Sequence, residues 1–402
     1  MQGEAETTSL LPTSGEGDVM RLSRAERSVL VDWWFTVDRA LLAAILVIIG
    51  AGLVLSLAAS PAIALKRGLP TFYFVERHAA FALASMVIVV AASLLSPPAV
   101  RRLSLVVLAV ALALMALVLV VGAEINGARR WLHVGGYSLQ PSEFAKPAFV
   151  VLSAWLLSES ARRPDMPAIP LAAALYLALV LLLVLEPDVG QTLLVSLVWG
   201  TLLLLAGRPI RWFLIVVAAI AAGGAAAYLT LGYVHTRIDR FLHPSGGDTF
   251  QADRALQSFI EGGFLGKGPG EGTIKTVLPD AHTDFIFAVI AEEYGVLACL
   301  VVVGLFALVA VRVFSRHLGR SNDFAALSAA GLVLLFTLQA VINMAVTVGL
   351  VPAKGMTLPF VSSGGSSMLA VALTTGMLLA VTRRRPDPER VKTPQFASRP
   401  AT

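Results

Sequence analysis

Apolar positions in this chain come in long, nearly unbroken blocks, not at the spacing of a half-buried helix or strand. An α-helix needs about 20 apolar residues to cross a hydrocarbon core. Runs of that length predict ten helices, at residues 40–59, 79–96, 103–123, 141–159, 168–185, 188–206, 211–232, 284–313, 324–350 and 364–382. The fifth and sixth are short and joined by a tight Glu186-Pro187-Asp188 turn. Polar sequence collects in segments 60–78, 124–140, 233–283 and 351–363, with a polar tail over 1–37 and a basic one over 383–402. The fold class is therefore all-α: a polytopic membrane domain over 38–382, with about ten transmembrane helices and one large loop before the eighth.

Composition agrees. Apolar residues make up 57% of the chain, charged residues 14%, and mean hydropathy is +0.79, whereas a soluble domain holds about 45–50% apolar and 25% charged residues. The net charge of +5 reads as topology and not as nucleic-acid binding. With both termini placed in the cytoplasm, 19 of the 31 Lys and Arg fall on cytoplasmic segments, and each short inner turn holds at least two arginines. The four polar segments then lie outside, where ATP is absent. The single cysteine, Cys299, excludes an intrachain disulfide and a CxxC metal site. The tail over 1–37 is expected to be disordered. No cleaved signal peptide is expected, since the first apolar run is long enough to stay in the membrane.

The outer segments carry five constellations. In "NGARRWLHVGGYSLQPSEFAKPAFV", Asn126-Gly127 marks a turn and Pro141 suits the first turn of a helix. Glu143 and Lys146 share a helix face. They form either a self-satisfied pair, or a charged pocket in which Lys146 meets another carboxylate such as Asp284. In "EPDVGQT", Asp188 is placed to cap the next helix.

The loop 233–283 contains "DRALQSFIEGG", which reads as a short amphipathic helix on the membrane. A strip of glycines holding Lys267 and Lys275 follows. It reads as a mobile linker or as a weak phosphate cradle, and it is no Walker loop because Gly268 follows Lys267. The stretch "LPDAHTDFIFAVIAEEYG" places Asp284 at the mouth of an apolar helix and Glu292 two turns deeper. His282 and Asp284 are two apart and do not share a helix face, so no dedicated metal site is expected. A carboxylate at such a mouth suits a general base. In "KGMTLPFVSSGGSSML", the small residues Ser362, Ser363, Gly364, Gly365, Ser366 and Ser367 open a helix. They serve close packing, or present free N–H groups to an anion such as a diphosphate.

In this order, "GARRW…QPSEFAK", "EPDVGQT", "RFLHP", "LPDAHTDFIFAVIAEE" and "KGMTLPFVSSGGSS" resemble the SEDS family of bacterial cell-wall polymerases over about residues 38–382. "LPDAHTDF" and "KGMTLPF" are closer to the family's division branch than to its elongation branch. The resemblance implies a glycosyltransferase that polymerises lipid II into β-1,4 glycan on the outer face of the cytoplasmic membrane, enriched at the division septum. It implies a class B penicillin-binding protein transpeptidase as partner among other division proteins. It maps the catalytic aspartate to Asp284 and the acid–lysine pair at the start of the fourth helix to Glu143 and Lys146. Three positions depart from the pattern: Ser363 stands for a tyrosine, Tyr294 for a leucine and Asp280 for a glutamate.

On this reading Asp284 is the base. Arg130, Lys146, Lys267 and Lys354 are the outer cations for the diphosphate, and Glu143, His282, Thr283, Ser362, Gly364, Gly365 and Ser366 line the substrate site. A loosely held Mg2+ or Mn2+ is the expected metal, with no dedicated ligand set. Two other readings are a lipid II flippase, which would place polar residues at the midplane, and a non-catalytic division scaffold, whose outer acids would be replaceable.

Overall fold

The computed structural model describes residues 29–66, 68–125, 128–242, 250–317, 323–352 and 355–384. Most of the predicted tail 1–37, nearly all of the tail 383–402, and Lys354 lie outside them. The contacts divide the chain after Thr36. The first unit contributes one described helix, α1 (Val29–Thr36).

The second unit holds α2 (Arg39–Lys66), α3 (Tyr73–Ser93), α4 (Pro97–Val121), α5 (Pro141–Arg162), α6 (Ala168–Leu185), α7 (Val189–Leu205), α8 (Ile210–Thr230), α9 (Gly232–Leu242), α10 (Phe250–Gly262), α11 (Ile286–His317), α12 (Phe324–Thr347) and α13 (Gly365–Thr382). Each predicted span falls on one of these helices. Among the described residues, eight helices are long and apolar enough to cross a membrane. The predicted fourth and sixth spans are not among the eight. The fourth span, α5, has the length but carries Glu143 and Lys146 in its first turns, and the sixth, α7, has 17 residues.

Local chemistry sets the helix starts. Ser96 accepts from the Ala99 N–H at 3.3 Å ahead of Pro97. Asp188 accepts from the Gln191 N–H at 3.2 Å, the cap that its place in "EPD" predicts. α5 is buried on nearly every side from Pro141 to Ser158, packed against α4, α6, α7, α12 and α13. It is therefore a core helix, with only Phe144 and Trp155 partly exposed over that stretch, and its interior place is what lets it carry charge. α8 is the opposite case: among its described residues only Val216 is buried.

Between α4 and α5 lies a three-stranded antiparallel meander that the pattern of the sequence does not announce: β1 (Ala123–Ile125), β2 (Ala128–Val134) and β3 (Tyr137–Leu139). β1 and β3, at three residues each, are too short for alternation to stand out. The β2–β3 hairpin turns through Gly135 and Gly136, at φ 57° and 80°, and sets Leu132 opposite Leu139. Two consecutive positive φ values define the tight turn whose twist matches paired strands.

Candidate active site

Asp284 stands in a turn over 281–285, just before α11. Its main chain is held from three places. Ser363 N–H donates to the His282 carbonyl at 2.9 Å, Ser362 Oγ to the Thr283 carbonyl at 2.5 Å, and Asn343 Nδ2 of α12 to the Asp284 carbonyl at 2.8 Å. Three successive carbonyls are thus fixed by donors from the segment before α13 and from α12. The Asn343 amide also donates to the Met356 carbonyl at 2.6 Å, which joins the two segments.

These ties place the half-buried Asp284 in the wall of a cavity of about 960 Å³. Thr283 and Asp280 share its wall, α3 contributes Arg77, β2 contributes Arg130, and Glu143 comes from the start of α5. Gly364, Gly365, Ser366 and Ser367 bring the N-terminus of α13. A helix start with small residues offers unblocked N–H groups and the positive end of the dipole. A Cβ on Gly365 would stand 2.5 Å from the Phe81 ring, so a larger residue there must displace that ring.

Beneath the cavity lies a buried polar network. Lys146 Nζ donates to Glu143 Oε1 at 3.0 Å, Gln191 Oε1 at 2.7 Å and Gln339 Oε1 at 3.2 Å, which engages all three of its donors. Gln191 Nε2 donates to the same Glu143 oxygen at 2.6 Å. Glu143 Oε2 is buried without a hydrogen-bond partner. Gln339 Nε2 reaches the Thr357 carbonyl at 3.2 Å, so the network ends on the segment that Asn343 also holds.

Arg130 is largely committed as well. Its Nε donates to the Glu186 carbonyl at 3.1 Å, its Nη2 to the Pro187 carbonyl, and its Nη1 lies 3.7 Å from Asp188 Oδ2. Burial, then the charge of Asp188, pushes the Glu186 carboxyl up to about 8 against the pull of Arg130. Burial likewise raises Asp188, with Arg130 opposing.

Of the residues expected from the sequence, Asp284, Arg130, Glu143, Thr283, Gly364, Gly365 and Ser366 line one cavity. Four of the others lie elsewhere. Lys146 is buried behind Glu143 and paired to it, so the self-satisfied alternative describes it and the charged-pocket alternative does not. Ser362 is buried and uses its hydroxyl on Thr283 and, as acceptor, on the Leu358 N–H at 2.8 Å. His282 is buried with its ring 5.0 Å from that of Phe74. Lys267 pairs with Glu261 away from the cavity, and that hydrogen bond raises its pKa.

Arg77 was missed. It lines the cavity and bonds Tyr73 OH at 3.1 Å, with Tyr137 stacked 5.3 Å away. Among the described residues no carboxylate pairs with it. It belongs to "FVERHAAF", ahead of an apolar run and far in sequence from the other motifs; its place in the outer segment 60–78, just before the second predicted span, was the available signal. No cluster of three His, Cys, Asp or Glu stands together among the described residues.

The family model of the FtsW/RodA/SpoVE cell cycle proteins matches residues 39–386. The chain is 43% identical to a probable peptidoglycan glycosyltransferase FtsW of Caulobacter vibrioides, over 90% of this chain and 94% of that one. It is 37% identical to a protein of the same description in Halomonas elongata, over 90% and 96%. Among solved structures, it resembles a chain of a peptidoglycan synthase complex that coordinates polymerization and crosslinking, with TM-score 0.71 and 30% identity over 87% and 98%. It also resembles the Rod shape determining protein RodA of Thermus thermophilus, with TM-score 0.64 and 28% identity over 87% and 97%.

Proposed function

The chain belongs to the FtsW/RodA/SpoVE family of cell cycle proteins, and on that premise we propose how its cavity works. It is a multi-pass membrane peptidoglycan glycosyltransferase, and its substrate is a peptidoglycan precursor. The precursor is lipid II, as both donor and acceptor. The Lys and Arg bias puts both termini in the cytoplasm and the cavity on the outer face, where lipid II is polymerised. The enzyme acts at the division septum beside a class B penicillin-binding protein transpeptidase.

The acceptor's sugar 4-hydroxyl attacks the anomeric carbon of the donor glycan. The new C–O bond forms as the bond to the lipid diphosphate breaks, with inversion, and the hydroxyl proton passes to Asp284. A sugar hydroxyl is a poor nucleophile near neutral pH, and a placed base contributes about 10²–10⁴-fold. The leaving diphosphate needs compensating charge. Arg77 supplies it, because Lys146 and Arg130 are bound to protein groups, and the N-terminus of α13 adds its free N–H groups. Among the described residues no three His, Cys, Asp or Glu stand together as a ligand set, so a Mg2+ or Mn2+ would be held mainly by the diphosphate's own oxygens. Such an ion, when bound, adds positive charge for the departing diphosphate.

One observation carries this reading: the acid at the mouth of α11, the arginine of α3 and the N-terminus of α13 face a single cavity. The test is glycan synthesis from lipid II by the purified full chain in bilayers, with and without the transpeptidase. Asp284→Asn is expected to make no glycan while melting as the wild type does, and Arg77→Ala to raise KM for lipid II at least tenfold. Glycan made by Asp284→Asn at the wild-type rate overturns the base.

A further inference from the structure

The helix that follows Asp284 is broken. Gly295 sits inside α11 at φ 77° and ψ 177°, so Ile286–Tyr294 and Val296–His317 are two helices at an angle. A break of this kind strips main-chain groups of their partners, and in a membrane those groups must be satisfied by protein. The glycine strip does this. Lys267 N–H donates to the Glu292 carbonyl at 2.9 Å and Gly268 N–H to the Glu293 carbonyl at 3.0 Å. On the far side, Val296 N–H donates to the Gly263 carbonyl at 2.9 Å and Leu297 N–H to the Phe264 carbonyl at 3.3 Å. The strip crosses the break and bonds to both halves.

Two buried acids fasten the continuation of the strip. Glu292 Oε1 accepts from the N–H groups of Thr273 at 2.6 Å and Ile274 at 2.8 Å, and its Oε2 from Lys275 N–H at 3.2 Å. Glu293 accepts from Gly270 N–H at 3.0 Å and forms an ion pair with the Lys275 ammonium. Lys275 Nζ also donates to the Ala58 carbonyl of α2 at 3.0 Å. All three side chains are buried. At Gly266 the approach leaves no room for a side chain: a Cβ there would stand 2.2 Å from the Glu293 carbonyl oxygen.

We propose that Glu292 and Glu293 are positioning residues for Asp284: by binding residues 270–275 they lock a main-chain splint across the break at Gly295 and so fix the angle at which the first half of α11 presents Asp284 to the cavity. The inference rests on Asp284 as the base. Neither acid lines the cavity, and neither touches substrate. The sequence read these glycines as a mobile linker or a phosphate cradle. Their backbone N–H groups meet carboxylates and carbonyls of α11, and their conformational freedom serves close approach, not motion.

The test measures kcat and KM for lipid II in the purified full chain in bilayers, with hydrogen exchange over 270–275. A displacement of about 1 Å from productive geometry costs about 10²-fold in rate. Glu292→Ala is therefore expected to lose about that much in kcat with KM within twofold, and to speed exchange over 270–275. Glu292→Gln keeps an acceptor for Thr273 and Ile274 and should regain at least tenfold. Glu292→Ala with kcat within twofold of wild type, or with its loss in KM alone, overturns the proposal. If Glu292→Ala does not fold, Gly266→Ala wedges the splint without changing any charge; the same loss in kcat supports the proposal, and a wild-type kcat overturns it. A wild-type rate in Asp284→Asn rejects the base instead, and Glu292→Ala then still reports whether the splint controls turnover.

Discussion

The side-chain amide of Asn343 donates to the main-chain carbonyl of Asp284 at 2.8 Å. It is a buried residue of α12, and with its bond to Met356 it holds two segments of the cavity wall in register. Truncation leaves both carbonyls without that donor, and each buried unsatisfied group costs about 1–3 kcal/mol. Asn343→Ala is expected to lower both melting temperature and polymerisation rate, and Asn343→Asp to be worse because it turns a carboxylate toward two carbonyls. Equal melting and equal rates in all three proteins would remove Asn343 from the account of the site.

Lys146→Ala should act on the fold and not on substrate affinity. Removing one member of a buried pair leaves the other uncompensated, which costs about 3–5 kcal/mol, and Glu143 would remain against Gln191 alone. The double replacement Glu143→Gln with Lys146→Met removes both charges and should recover part of that stability. Thermal melting of the purified proteins reads this. A stable Lys146→Ala whose only defect is a raised KM would return Lys146 to the list of phosphate-binding cations.

Glu186 makes stability depend on pH in the direction opposite to most carboxylates. Its folded pKa stands near 8 against an ordinary 4.5, so between those values the folded state holds a proton that the unfolded state has released. Stability contributed here is full below about pH 4.5 and is lost as pH rises toward 8. Glu186→Gln fixes the neutral form, and should raise the melting temperature at pH 8 with little change at pH 4.5. A gain independent of pH would show that Glu186 is not held neutral.

At the far end of α11, Arg312 forks onto Asp38 at 3.0 and 3.1 Å, and Arg316 pairs with the same carboxylate. Burial raises the Asp38 pKa, and the Arg312 hydrogen bond, the Leu41 N–H and the two arginine charges outweigh it, so the net shift is downward. The stabilisation is present above the ordinary value of 3.8 and is lost as pH falls through the lower folded value. Both arginines are about one-third exposed, so Arg316→Ala should cost at most about 1 kcal/mol and leave the rate of polymerisation unchanged. A cost of several kcal/mol would mean that the clamp holds α2 and α11 together.

The helices were legible because span length and apolar composition are one-dimensional signals, and the motif at Asp284 because a charged run at the head of an apolar block is conspicuous. Partnership was not legible. Nothing near Lys146 in the sequence announces Gln191 and Gln339, so its charge looked available. The glycines after Gly262 looked loose, because the carboxylates that bind their neighbours lie on the next helix and face backward onto the loop. Arg77 was passed over since one arginine beside an apolar run is ordinary until the fold turns it toward Asp284's cavity.

The Lys146 network also sets an order of assembly. Lys146 meets Glu143 within one turn of its own helix, but its other acceptors lie 45 and 193 residues further along the chain. An ionised pair in lipid is costly until such partners arrive. During synthesis α5 therefore cannot settle into hydrocarbon when it emerges. It must wait at a wetter boundary for α7, and its place at the centre of the bundle becomes final only when α12 is made. The insertion of this one helix is a late event in the life of the nascent chain, and a chain truncated before Gln339 would strand it.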